Sequence, residues 1–202
     1  MSMPHERSLW LNETEAALPL PLRLASGQLV DLYDLPPAAL SVETIAGALS
    51  RICRFGGHVF RAYSVAEHSI LVAALVGQDF QLEALLHDAA EAFCGDVVSP
   101  IKRRLQGFDP IEDMVADQIA DHHGLVRGFA HSPFVKAADL LALKLEQHYL
   151  QGRELDVEVS RAEHAIAQEV FGPVPGQDRS EYMALLFCEM YRIVTASRPR
   201  LQ

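Results

Sequence analysis

The sequence predicts an all-α fold. From Ser41 onward apolar residues recur at helical spacing, start and stop residues stand at the ends of those runs, and strand-like alternation is nearly absent. Ser64 followed by Glu67 has the spacing of a capping box and opens an apolar run through Val76, stopped at Gly77. Asp79 is expected to cap the next helix, which carries Leu82, Leu85, Leu86 and Phe93 and stops before Gly95. Ser99-Pro100 and Asp109-Pro110 each place a cap residue before a proline at the first helical position, and His122-His123-Gly124 ends the second of these helices. Ser132-Pro133 starts a long helix through about Leu150, with Gly152 as its stop. Ser160 and Glu163 repeat the capping-box spacing, Gly172-Pro173 ends that helix, and a last helix covers roughly 180–196. Residues 1–40 are rich in Pro and Leu without a sustained helical period. They read as an extended arm or short hairpin packed on the core, and residues 41–202 as a single domain.

The chain has 202 residues, half of them apolar, enough for one well-filled core. Its 27 acids against 17 bases, a formal net charge of −10, argue against broad binding to a nucleic acid polymer, which needs a basic face. A small phosphorylated ligand is compatible with that balance, because a metal and two or three bases make a pocket locally positive. Bases cluster at Arg51, Arg54 and Arg61 and again at Lys102, Arg103 and Arg104, and for most of them the solvated-surface reading holds. Apolar runs fall far short of the roughly 20 residues a membrane span needs, and no secretory pattern is present. Three widely spaced cysteines (Cys53, Cys94, Cys188) read as reduced thiols, so the expected location is cytoplasmic.

Imidazoles and carboxylates stand inside the apolar helices. His68 lies one turn into the helix opened by Ser64, sharing or bordering a stripe of Leu71, Val72 and Leu75. His87 and Asp88 follow Ala84-Leu85-Leu86, and Glu91 projects from the same side of that helix. Asp139 sits in Val135–Ala142, an otherwise mostly apolar helix interior, where an unpaired carboxylate would cost several kcal/mol. A cation held by His68, His87, Asp88 and Asp139 supplies the partner. Taken singly, each is more often a hydrogen-bonded core histidine or a solvent-facing aspartate; the combination with an adjacent His-Asp pair is what points to a metal. Two imidazoles and two carboxylates suit Zn, Mn, Fe, Co or Ni, and suit calcium much less.

Tyr63-Ser64-Val65-Ala66-Glu67-His68-Ser69, then Leu85-Leu86-His87-Asp88-Ala89-Ala90-Glu91, then Gly95-Asp96 and Ala138-Asp139, resemble the HD-domain metal-dependent phosphohydrolases. The order His, His-Asp, Asp defines that family, and the resemblance spans roughly residues 50–150. It looks like the branch holding bacterial 5′-deoxynucleotidases and phage deoxyadenosine triphosphate triphosphohydrolases. The resemblance implies an HD-domain helical bundle with one divalent transition metal on His68, His87, Asp88 and Asp139, and Mg only as a second, substrate-borne ion. It assigns Glu91 and Asp96 to catalysis: Glu91 to orient water or exchange protons with it, Asp96 to reach the same water or the leaving oxygen. By the same resemblance Arg54, 14 residues before His68, and Lys102 bind the substrate phosphates. Lys102 also stands near a helix N-terminus, which favours anions.

The expected activity is hydrolysis of a nucleotide phosphoester, most simply a deoxynucleoside 5′-monophosphate. The alternatives are triphosphohydrolysis of a deoxynucleoside triphosphate and, in a different class, a non-catalytic nucleotide-binding module. The expected partner is a small-molecule nucleotide, with no membrane; the family often forms homodimers. Arg51 and Arg61 are weaker candidates for substrate contact, and His58 is as readily a loop residue. His122-His123 reads as a dipole-facing helix end rather than a second metal site, Cys94 as a buried small residue, and Gly56-Gly57 as no phosphate loop, since no Gly-Lys-Ser/Thr follows. The extension of the cyclic-dinucleotide phosphodiesterases and the extra histidines of the di-iron oxygenases are not evident.

Overall fold

The computed structural model describes residues 19–173 and 178–198. Strands β1 (Pro21–Arg23) and β2 (Leu29–Asp31) lead into helices α1 (Val42–Leu49), α2 (Val65–Leu75), α3 (Gln81–Leu86), α4 (Glu91–Cys94), α5 (Ser99–Lys102), α6 (Phe108–His123), α7 (Pro133–Gln151), α8 (Arg161–Phe171) and α9 (Arg179–Ala196). Short 3-10 turns cover Arg54–Gly57, Gln78–Phe80 and Phe129–His131. The all-α reading holds, with one small hairpin. No helix among the described residues is long and apolar enough to cross a membrane.

Helix α2 is the axis of the bundle. Nine consecutive residues, Val65 to Ala73, are buried, because α3, α7, α8 and α9 all pack against it. The stripe expected beside His68 is therefore a helix enclosed on every side, the state that an all-round apolar sequence favours. The capping box forms: Glu67 N donates to Ser64 Oγ at 3.3 Å and Ser64 N to Glu67 Oε2 at 3.0 Å. Glu67 is 2 % exposed, and its other oxygen accepts from Arg61 Nη1 at 3.0 Å and Arg179 Nη2 at 2.6 Å. Both guanidiniums also donate to carbonyls at the end of α8, Phe171 and Val170 respectively. One buried carboxylate thus caps α2 and, through two arginines, ties down the negative end of α8.

Residues 1–18, the first part of the expected arm, lie outside the described residues. The hairpin pairs Leu22 with Val30 and turns at Gly27, whose φ of +85° suits glycine. Gln118 on α6 fastens the segment that follows, accepting from Leu35 N and donating to Leu32 O, both at 2.8 Å. His123 bridges Leu40 O at 2.9 Å and the Tyr191 hydroxyl at 2.7 Å.

Three helix starts differ from expectation. The run from Asp79 to Gly95 is broken between Leu86 and Glu91, with Ala89 N donating to Leu86 O and Glu91 N to Asp88 O in tight three-residue steps. Asp79 lies in a 3-10 turn instead of capping, and Phe80 occupies the cap position. α5 starts at Ser99 with Val98 as its cap, and α6 starts at Phe108 after Gly107, so Ser99 and Asp109 lie inside their first turns.

Candidate metal centre

The break after α3 matters for the chemistry. It leaves His87 at the helix end, where its Nδ1 donates to Ala84 O at 2.7 Å. A carbonyl only accepts, so Nδ1 carries the proton and Nε2 presents its lone pair. His68, enclosed in α2, has Nδ1 2.5 Å from Glu146 Oε1 of α7. Its Nε2 therefore also faces inward as an acceptor. The two Nε2 atoms are 3.2 Å apart. Asp139 Oδ1 lies 3.2 Å from His68 Nε2 and 3.9 Å from His87 Nε2. Asp88 Oδ2 lies 3.4 and 3.2 Å from the same two atoms.

Lone pairs this close repel unless a cation stands among them, either a metal ion or protons on the rings. Ligands at about 2.1 Å from one ion stand about 3.0 Å apart at octahedral and about 3.4 Å at tetrahedral angles. The His68, His87 and Asp139 atoms, all within 4.8 Å of one another, form a group that can hold a metal ion. Mixed imidazole and carboxylate donors suit a borderline transition metal. Without one, the charge balance falls on His68: burial and Arg54 push its pKa down, but Glu146 and the bonds to Asp139 and Glu146 hold it up at about 9. Burial opposes ionisation of Asp88 and Asp139, yet the two imidazoles keep both carboxyls well below the usual range.

A cavity of about 430 Å³ opens beside this group, lined among others by Arg54, Glu91, Asp96, Lys102, Asp139 and Gln147. A smaller one, about 140 Å³, lies on the His87–Asp88 side against Glu112, His131 and Lys136. A recess of about 480 Å³ near Gln81, Glu83 and Arg198 is larger, but the ligand group is not part of it and its Glu83 is paired with Arg198. Glu91 is buried, and its Oε2 has no hydrogen-bond partner. Burial, with Asp88 and Asp96 nearby, raises its pKa well above the ordinary carboxyl value. Burial raises Asp96 in the same direction.

No family model matches the chain. It is 43 % identical over 109 residues to Uncharacterized protein YfdR of Escherichia coli (strain K12), a stretch covering 54 % of this chain and about 60 % of that protein's length. It is 34 % identical over 142 residues to Uncharacterized protein RCAP_rcc00048 of Rhodobacter capsulatus, covering 64 % of this chain and 72 % of that protein. The chain belongs to the family of RCAP_rcc00048.

Of the residues singled out in the sequence, His68, His87, Asp88 and Asp139 converge, and Glu91 and Asp96 share the adjoining cavity. Arg54 is there too, but clamped: its guanidinium is 3.3 Å from Glu146 Oε2 and 3.5 Å from Asp88 Oδ2, with the side chain 12 % exposed. Lys102 reaches the cavity wall with its ammonium paired to Glu112 and set 5.5 Å from the Phe108 ring centre. Arg61 serves Glu67, and Arg51 donates to Gly47 O. His58 is exposed, its carbonyl accepting from Gln151. Cys94 is half-buried, and burial beside Glu112 and Glu91 pushes its thiol up to about 11. Cys53 is exposed, and all three cysteines are free.

Two members of the site escaped sequence reading. Glu146 is fully buried and meets His68, Arg54 and the Tyr63 hydroxyl, the last at 3.0 Å. A signal existed: it follows Asp139 by seven residues, two helical turns, and so shares its face. Phe55 lines the cavity under the Arg54 guanidinium with φ of +56°, where a side chain is strained. Nothing local in the sequence marks that conformation.

Proposed function

We propose that this protein is a metal-dependent phosphohydrolase of the HD-domain type, hydrolysing a nucleotide phosphoester, in the simplest case a deoxynucleoside 5′-monophosphate. One observation carries the reading: His68, His87 and Asp139, with Asp88 Oδ2 3.2 Å from His87 Nε2, meet in the order His, His-Asp, Asp beside a cavity holding two acids of raised pKa. Its volume, about 430 Å³, is in the range of small-ligand sites.

A divalent ion bound there supplies charge neutralisation at the phosphoryl oxygens and makes water a stronger acid. The protein's own groups do the rest. Glu91, with a buried oxygen that no protein group engages, takes a proton from the attacking water or returns one to the leaving oxygen. Asp96, just past the Gly95 turn, lies across the same cavity as the second proton-transfer group. Arg54 presents its guanidinium to phosphate from the wall, backed by Glu146 and Asp88. Of the two further bases on the cavity wall, Lys102 and Arg103, Lys102 is paired with Glu112, which reduces the positive charge available to two further phosphates and favours the monophosphate reading. Free cysteines fit a reducing, cytoplasmic setting.

The test is phosphate and tripolyphosphate release from a nucleotide panel by protein stripped of metal and re-supplied with Mn, Co, Zn or Mg. Metal-dependent monophosphate cleavage, lost in His87→Ala and Asp139→Ala, is the expected result. Glu91→Ala should keep the metal and lose turnover about 10²–10⁴-fold. Tripolyphosphate as product moves the assignment to triphosphohydrolysis, and a metal-loaded protein inert toward every nucleotide sinks the nucleotide reading and points to another phosphoester or a regulatory role.

A further inference from the structure

Glu146 is the one fully buried carboxylate of the described residues that touches both halves of the site. It is a charge at zero exposure on α7, and it sits 78 residues from His68 and 92 from Arg54 in the chain. A buried carboxylate is costly, and replacing a buried charge by an apolar side chain of like volume is often neutral or stabilising. Its presence calls for a local reason, and its three contacts divide into two kinds. Oε1 takes the Nδ1 proton of His68 and the Tyr63 hydroxyl; Oε2 takes the Arg54 guanidinium. The Tyr63 hydroxyl is itself wholly enclosed and lies 3.0 Å from Oε1, so the carboxylate cannot rotate without losing a bond.

We infer that Glu146 is the positioning residue of the centre: it fixes His68 as the Nδ1–H tautomer, so that Nε2 faces the cation, and anchors Arg54 in the cavity wall. His87 has a backbone carbonyl for the same task, Ala84 O. His68 sits mid-helix, where backbone carbonyls are used by the helix ladder itself, so a side chain from another helix must do it. A residue that only balanced the Arg54 charge would need no bond to His68. The bond to His68 is, at 2.5 Å, the shortest of the three.

The inference rests on the metal-binding part of the proposed function and not on phosphoester hydrolysis, so an inert but zinc-binding protein leaves it standing. The test uses the full chain. Long-range ¹⁵N–¹H spectra of the imidazoles, with His68 assigned by its loss in His68→Gln, report the tautomer of the wild-type protein directly. With zinc bound the expected result is Nδ1–H alone; without zinc the ring carries both protons up to about pH 9 and Nδ1–H alone above it. A zinc-loaded or high-pH wild type with Nε2–H and a bare Nδ1 overturns the inference, whatever any variant does. Zinc affinity is then measured by chelator competition for wild type, Glu146→Gln, His68→Gln and the double variant. Glu146→Gln should weaken zinc about 10–100-fold, and the same change in a His68→Gln background should cost nothing further. An unchanged affinity in Glu146→Gln, or an equal loss in both backgrounds, shows a structural charge and overturns it. Tyr63→Phe, which removes one bond and keeps the charge, covers the case of an unfolded Glu146→Gln: a mixed His68 tautomer supports the inference. A wild-type protein that binds no zinc fails the metal reading, and this inference with it.

Discussion

Two side chains of the metal-free protein keep their protons to higher pH than the unfolded chain does. His68 does so because Glu146 and Asp139 outweigh burial and Arg54, and its pKa stands at about 9 against an ordinary 6.5. Stability from that proton is fully present below pH 6.5 and is lost as pH rises through 9. Glu91 keeps its proton mainly through burial, and its raised pKa likewise makes stability fall as pH rises above the ordinary 4.5. Both slopes have the same sign. In chelator, therefore, the melting temperature should fall between pH 6.5 and 9, and saturating zinc should flatten that fall by replacing the His68 proton with the ion. Calorimetry at a series of pH values reads this out; a metal-free protein whose stability holds or rises across the window would contradict the charge balance described for the cluster.

At the scale of elements, the centre depends on α2 holding its register against α7. The capping box fixes where α2 begins, and Glu67 ties that start to Arg61 and Arg179. Ser64→Ala removes the acceptor for Glu67 N and should cost about 1 kcal/mol, read as a shift in the urea midpoint with an unchanged slope. A loss under a few tenths of a kcal/mol would mean that packing alone sets the register. Which parts of the fold were legible follows the same line. Ser64, Ser160 and Gly152 act through bonds three or four residues away, and the helices they delimit are where their spacing puts them. The interruption after Leu86 was not legible, because Gln81 to Cys94 is evenly helical in pattern and the ring bond from His87 to Ala84 O is a detail of one side chain. Asp79 and Asp109 are good cap types, but Phe80 and Gly107 take the cap positions in the folded chain.

For the whole molecule, a site shared among α2, the end of α3 and α7 makes ion binding a clamp on the fold. Zinc at 100 times its dissociation constant stabilises the native state by about 2.7 kcal/mol, which is about 5–10 °C for a domain of this size. His87→Ala should remove that gain, and differential scanning fluorimetry with and without zinc checks it; no zinc-dependent shift in the wild type would leave the group as a proton-bridged cluster. Composition, caps and helical period determined the all-α class, the places where most helices start and stop, and the residue types able to hold an ion. These are local properties, set by backbone groups a few residues apart and by the sum of charges along the chain. Tertiary structure alone decided that Glu146 rather than a backbone carbonyl orients His68, that Arg54 is clamped between two carboxylates and that Lys102 is neutralised by Glu112. Those pairs are 78, 34, 92 and 10 residues apart in sequence. Packing brings them together, and a linear pattern has no term for distance between helices.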